Sequence, residues 1–217
     1  MILPIIAYGN DVLRKQCRDV SQDTNNLNEL LTNMWKTLKQ CGGVGLAAPQ
    51  VNKDFKTFIV NSKLMYDDLS GDKRKSIFPE DTGITETFLN ARIISKSEDI
   101  WNEYEACLSI PGIEESINRS WKIDIEYHDQ DFTYHRKQFS GFTAKVIQHE
   151  FDHTRGVLFI DYLPPIKRKL IKNKLKQILD GKVKTNYPIK FGRKSKSSFY
   201  NIPGLNILTS SIFLLQY

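Results

Sequence analysis

The string HEFDH at 149–153 sets two imidazoles four residues apart with a carboxylate between them. On a helix, positions i and i+4 lie one turn apart on one face, so His149 and His153 can grip a single metal ion while Glu150 stands beside them as a general base. The plainer alternative is two solvated histidines on a helix face. A catalytic zinc or iron site needs a third protein ligand and a position left open to water. Glu150 is the last glutamate of the chain and no histidine follows His153; Phe159 stands three residues beyond Gly156, where a further histidine could have served. The third ligand is therefore sought upstream, among His128, His135, a carboxylate or a cysteine. Cys107, inside EACLSIPG at 105–112, has the most suggestive setting, because a thiolate binds zinc or iron(II) strongly. Taken alone it would be read as a small buried hydrophobe. Beside an H-E-x-x-H short of one ligand, the metal reading takes precedence.

Other elements must position these groups. Leu27, Leu30, Leu31, Met34 and Leu38 fall on one stripe and predict an amphipathic helix over 25–41, stopped by Gly42 and Gly43. β-rich runs at 56–61, 88–95, 121–127 and 132–139 predict strands, antiparallel because hairpin-length links join at least the last pair. Residues 62–85 are polar and read as a surface excursion without chemistry. Ser140 is a candidate N-cap for a helix over 142–155 that carries the two histidines and closes at Gly156. Residues 157–163 look β-like. After Pro164 and Pro165, a second amphipathic helix over 166–179 has Ile166, Leu170, Ile171, Leu175, Ile178 and Leu179 as its apolar side. Strands before helices, without βαβ alternation, predict an α+β fold.

The 217 residues, 40% hydrophobic and 26% charged, suit one folded domain with an appendage and exclude disordered or compositionally biased chains. The apolar runs at 1–7 and 205–215 are shorter than the roughly 20 residues of a membrane-spanning helix, and no basic residue precedes Arg14 as an export signal requires. Three scattered cysteines, Cys17, Cys41 and Cys107, fit free thiols in a reducing compartment, which predicts a cytoplasmic protein. The net charge of +6 is uneven: residues 1–165 hold 19 basic and 24 acidic side chains, whereas 166–184 hold 8 and 1. The basic charge is thus a local footprint of the C-terminal helix, not a property of the body.

Three segments together resemble the peptide deformylase family. GVGLAAPQ at 43–50 is similar to its G-x-G-L-A-A-P-Q, EACLS at 105–109 to its E-G-C-L-S, and QHEFDH at 148–153 to its Q-H-E-x-D-H, in the same order and spacing. The likeness spans about residues 1–184, including Val12, Leu13 and Arg14, and leaves 185–217 as a tail of unknown role. It implies antiparallel sheets packed around a central helix bearing the H-E-x-x-H, with a basic C-terminal helix over 166–184. It also implies removal of the formyl group from N-formylmethionine of nascent polypeptides, with release of formate. By the same resemblance Cys107, His149 and His153 are the metal ligands and Glu150 the general acid and base. The Gln50 side-chain amide and the Leu108 backbone N–H would stabilise an oxyanion. Val44 and Gly45 would approach an extended peptide, Val44 lining a pocket for the methionine side chain, with Phe142 and Val146 belonging to pocket or core. The implied metal is iron(II), with zinc, nickel or cobalt as substitutes, although ligand type alone does not separate iron from zinc.

Two positions depart from the family pattern. Ala106 replaces the usual glycine beside the ligand cysteine and puts a methyl group where substrate backbone would run; Thr154 replaces a usual leucine after the second histidine. In deformylases the C-terminal helix is thought to dock near the ribosomal exit tunnel, which implies ribosomal RNA, not DNA, as a partner for the basic helix; a solvated face and a membrane-surface segment are the alternatives. Residues 192–198 resemble a linker and 205–217 an apolar strand or surface-binding segment. Two rival functions remain at this stage: an H-E-x-x-H peptidase, disfavoured by the missing downstream ligand, and a ribosome- or RNA-binding protein with an inactive metal site.

Overall fold

The Leu-rich stripe forms α1 (Leu27–Cys41), burying Leu27, Leu30, Leu31, Met34 and Leu38. Gly42 ends it with a φ of 66° and returns its N–H to the carbonyls of Leu38 and Lys39, a left-handed closure that glycine makes without steric cost. The computed structural model describes residues 1–192. The linker expected at 192–198 therefore lies outside the described residues apart from Gly192, and the apolar segment at 205–217 lies wholly outside them.

The four predicted strands are present as β3 (Thr57–Asn61), β4 (Thr85–Lys96), β7 (Lys122–His128) and β8 (Tyr134–Ser140). With β2 (Gly45–Ala47) they make a five-stranded antiparallel sheet in the order β2-β3-β4-β7-β8. A separate hairpin pairs β5 (Ile100–Ala106) with β6 (Glu114–Ser120) in a continuous register from Ile100↔Ser120 to Ala106↔Glu114. A third pair is parallel, β1 (Ile5–Ile6) against β9 (Ile189–Lys190).

Directly after β8 the chain turns into α4 (Gly141–Thr154). Ser140 occupies the N-cap position with extended backbone, but its side chain makes no capping hydrogen bond, contrary to the sequence expectation. Phe142, Ala144, Val146 and Ile147 of α4 join Phe58, Phe88, Ile125 and Tyr127 of the sheet in the main core. Phe88 stacks on Phe58 at 4.7 Å and tilts against Tyr127 at 4.3 Å, so this core is largely aromatic on its sheet side.

Three other expectations need correction. Residues 62–85 are not a bare excursion: they form α2 (Lys63–Asp68) and α3 (Gly71–Ile77), and Met65, Ile77 and Phe78 are buried in the main core. The β-like run at 157–163 is a single 3-10 turn, Phe159–Tyr162, because Asp161 curls back to accept the Leu158 N–H at 2.8 Å. The final helix, α5 (Pro165–Leu179), uses only Ile171 and Ile178 as fully buried anchors, with Leu175 partly covered. Ile166 and Leu170, assigned to the apolar side, are 71% and 75% exposed. Positions 171, 175 and 178 lie on one face, and that face alone meets the cluster formed by Ile110, Ile113, Ile117, Leu158 and Phe159. Among the described residues no helix is long and apolar enough to cross a membrane.

Candidate active site

α4 carries His149 and His153 on one face, their rings 5.0 Å apart and nearly perpendicular. The hairpin brings the third group: Cys107 follows β5 directly, at the start of the loop leading to β6. Cys107 Sγ lies 3.3 Å from His153 Nε2, and the donor atoms of Cys107, His149 and His153 all fall within 4.8 Å of one another. A tetrahedral ion with Zn–S near 2.3 Å and Zn–N near 2.0 Å separates its sulfur and nitrogen donors by about 3.5 Å. The donor set therefore fits one such ion. His128 and His135, the other upstream candidates, sit elsewhere on β7 and β8. His135 pairs with Asp129 at 2.7 Å, and His128 packs against Phe132 and Tyr134.

Both imidazoles are shaped by their surroundings. His149 Nδ1 bonds Glu105 Oε2 at 2.8 Å, which leaves Nε2 as the nitrogen free to face the sulfur. Burial opposes its protonation, but hydrogen bonds and charge from Cys107 and Glu105 outweigh this and hold His149 well above the usual imidazole range. His153 is 1% exposed, and burial, with His149 and Arg119 nearby, holds it well below that range.

Behind the imidazoles lies a network that the sequence reading did not anticipate. Arg119, from β6, donates to both oxygens of Glu105 at 2.7 and 3.0 Å and to Asp152 at 2.5 Å. The Tyr162 hydroxyl donates to Asp152 as well, at 2.8 Å. Arg119, Glu105 and Asp152 are each no more than 4% exposed. Burial alone would raise the Glu105 carboxyl, yet the Arg119 guanidinium and the His149 hydrogen bond reverse this and hold it well below the usual carboxylate range. A permanently ionised Glu105 fixes the His149 ring in one orientation. Glu105 and Asp152 stood inside recognisable strings, but nothing local marked Arg119. Its partners are 14 and 33 positions away, and only the β5–β6 register brings it beneath α4.

Glu150 projects toward the same cavity, of about 470 Å³, which is also lined by Cys107, Leu108, His149 and Gln50. Glu150 is 4% exposed, and its buried Oε2 has no hydrogen-bond partner among the described residues. Burial is the main reason that it is pushed up to about 7, the range of a proton carrier at neutral pH. Gln50 lies in the 3-10 turn after β2 and is fixed by the end of that strand: Oε1 accepts the Ala47 N–H at 2.8 Å, which turns Nε2 toward Cys107 Sγ at 3.5 Å. Val44, Gly45, Phe142 and Val146 all lie on the cavity wall; Phe142 and Val146 belong at once to wall and core. Ala106 is on the wall too, whereas the Thr154 hydroxyl is spent on the Phe151 carbonyl at 2.7 Å. Other residues line the cavity without having been foreseen, among them Met65, Lys145 and Tyr187. Lys145 donates to the Tyr104 carbonyl, and burial draws its amine down to about 8.

A centre of this kind, set in antiparallel sheets and helices, defines a metal-dependent hydrolase acting on an amide. The family model described as polypeptide deformylase matches residues 2–169. The chain belongs to that family. A peptide deformylase from Christiangramia forsetii is 42% identical over 197 residues, covering 91% of this chain and all of the relative. One from Flavobacterium psychrophilum is 40% identical over 198 residues, 90% of this chain and all of that one. Among solved structures, the peptide deformylase of Ehrlichia chaffeensis superposes with a TM-score of 0.71 at 26% identity, covering 82% of this chain and 96% of that chain. A Met-Ala-Ser-bound class I type b peptide deformylase from Acinetobacter baumannii gives a TM-score of 0.65 at 28% identity, over 75% of this chain and 99% of that one.

Proposed function

We propose that this peptide deformylase removes the formyl group from N-formylmethionyl ends of nascent polypeptides, with Cys107, His149 and His153 holding one divalent metal ion. The observation that carries the reading is the meeting of one sulfur and two imidazoles beside a buried carboxylate with an unpartnered oxygen. When bound, such an ion supplies Lewis acidity and makes hydroxide available near neutral pH. Iron(II) is the metal proposed, with zinc, nickel or cobalt able to replace it.

The chain's own residues do the rest. Glu150 accepts the proton of the attacking water and returns it to the departing amine, a relay suited to a carboxyl near 7. As charge grows on the formyl oxygen, the Gln50 amide and the Leu108 N–H donate to it; removing one donor of this kind commonly costs about 2.7–4 kcal/mol. Val44, Gly45, Phe142 and Val146 take the methionine side chain and the adjoining backbone, with Ala106 narrowing the channel beside them. The Met-Ala-Ser complex of the Acinetobacter relative supports this substrate class, since that peptide is what remains once a formyl group has left.

The basic face of α5 and the residues up to 184 are assigned to ribosomal RNA near the exit tunnel, and the protein to the cytoplasm. Residues 1–184 are proposed as the catalytic unit, and the segment directly after them, which joins its core through Tyr187 and β9, supports it. The deciding assay is formate release from formyl-Met-Ala-Ser by protein purified without oxygen. Glu150→Gln is expected to keep its metal and to lose at least about a hundredfold in kcat; wild-type turnover in that variant would remove Glu150 from the mechanism. Cleavage of casein without formate release would instead mark a peptidase.

A further inference from the structure

Tyr187 lies beyond the residues matched by the family model, in the segment between α5 and β9. Its hydroxyl donates to the carbonyl oxygen of Leu108 at 2.9 Å across 79 positions of sequence. We propose that Tyr187 is a positioning residue for catalysis, locking the turn that presents the Leu108 N–H to the formyl oxygen. This rests on the reading of Leu108 given above.

Residues 107–110 form a turn closed by the Ile110 N–H, which donates to the Cys107 carbonyl at 2.9 Å. A trans peptide sets its N–H opposite its C=O, so this bond also aims the Leu108 N–H out of the turn. The next peptide, from Leu108 to Ser109, is the central unit of the turn. Its rotation is what distinguishes type I from type II, and the closing bond does not prevent it. The Leu108 carbonyl belongs to that central unit, and Tyr187 holds it. The Ser109 carbonyl is held in turn by the Tyr8 N–H at 2.8 Å. Three successive carbonyls thus each have a donor: one from the turn itself, one from the chain after β1, and one from Tyr187.

Tyr187 is well placed to act as the fixed point. It is 7% exposed, packed in a cluster with Ile5, Leu46 and Leu108. Thr185 Oγ1 donates to its carbonyl at 2.7 Å, and the neighbouring Pro188 carbonyl accepts the Ile5 N–H at 2.8 Å. The hydroxyl therefore belongs to a framework anchored on β1. Rotation of the central peptide changes ψ at Leu108 and φ at Ser109, so without Tyr187 the turn can pass between its two forms and pull the Cys107–Leu108 peptide, tied only by the closing bond, off the aim an oxyanion donor needs, without emptying the site.

The test is Tyr187→Phe in the full chain, which removes one oxygen and keeps the ring. Expected are unchanged metal content, KM within about twofold, and kcat lower by on the order of tenfold, less than the roughly 10²–10³ lost with an oxyanion donor itself. Backbone ¹⁵N relaxation, measured on the zinc form, should show new microsecond-to-millisecond exchange at the Leu108 and Ser109 amides. Wild-type kcat, quiet amides, or a loss confined to KM or to metal content would overturn the proposal. A wild-type protein that releases no formate would overturn the reading of the site instead, while the amide relaxation would still decide whether Tyr187 holds the turn.

Discussion

Position 45 shows how tightly one residue constrains another. A Cβ built on Gly45 would stand 2.5 Å from Glu150 Oε1 and 2.7–2.8 Å from its Cγ and Cδ, so any side chain there displaces the carboxyl proposed to carry the proton. Gly45→Ala is expected to lower kcat by at least about tenfold while the metal content stays at the wild-type level, as metal analysis and formate release on one preparation would show. The sequence made this glycine visible only as part of a turn or of a peptide-binding segment; its contact with Glu150 needs β2 laid across α4. His149, Glu150 and His153 were legible because helical spacing is a local property. Cys107 was legible only through its neighbours, since nothing in a lone cysteine points to a helix 42 positions later. Arg119 was invisible for the opposite reason: an arginine within SINRS has no local reason to be buried, and its charge is matched by carboxylates from β5 and α4, with the Tyr162 ring over the guanidinium.

At the scale of elements, that arginine is the rivet between the hairpin and α4. Arg119→Leu leaves Glu105 and Asp152 buried without their cation, and breaking a buried ion pair from one side costs about 3–5 kcal/mol. The denaturation midpoint of the variant should fall accordingly. Glu105→Gln is milder for folding but weakens the hold on the His149 ring, and a loss of metal affinity of about 10–100-fold is expected from competition with a chelator. The basic helix offers a separate test. Lys169, Lys172 and Lys176 are exposed, whereas Ile171 and Ile178 anchor the helix, so reversing the three lysines to glutamate alters charge without unseating α5. Co-sedimentation with ribosomes should be lost in the triple variant and should weaken with salt in the wild type, with formate release unchanged; equal, salt-insensitive sedimentation of both would reject the contact. The hairpin was missed in the sequence because β5 exposes most of its residues and so carries little apolar alternation. The helices at 63–77 were missed because each is a turn or two long, with a single buried side chain, Met65 or Ile77.

Across the whole molecule, all three cysteines are free and buried. Burial pushes the Cys17 thiol up to about 11 and the Cys41 thiol up to about 12. A folded-state value raised above the ordinary 9 means that the neutral thiol is favoured by the fold. The stability this contributes is complete below pH 9 and is lost as pH climbs through 11 to 12. At pH 8 both thiols should therefore resist iodoacetamide in the native protein and react readily in denaturant, as peptide mapping would show; equal labelling in both states would contradict the burial. The parallel pairing of Ile5 with Ile189 has a consequence for biogenesis. A growing polypeptide can fold its meander and its histidine-bearing helix as they are made, yet the first strand stays unmated until residue 190 has been added. Among the described elements the latch that Tyr187 closes is thus the last to arrive, so the enzyme ripens only after its catalytic strands and helices have left the machine whose products it trims.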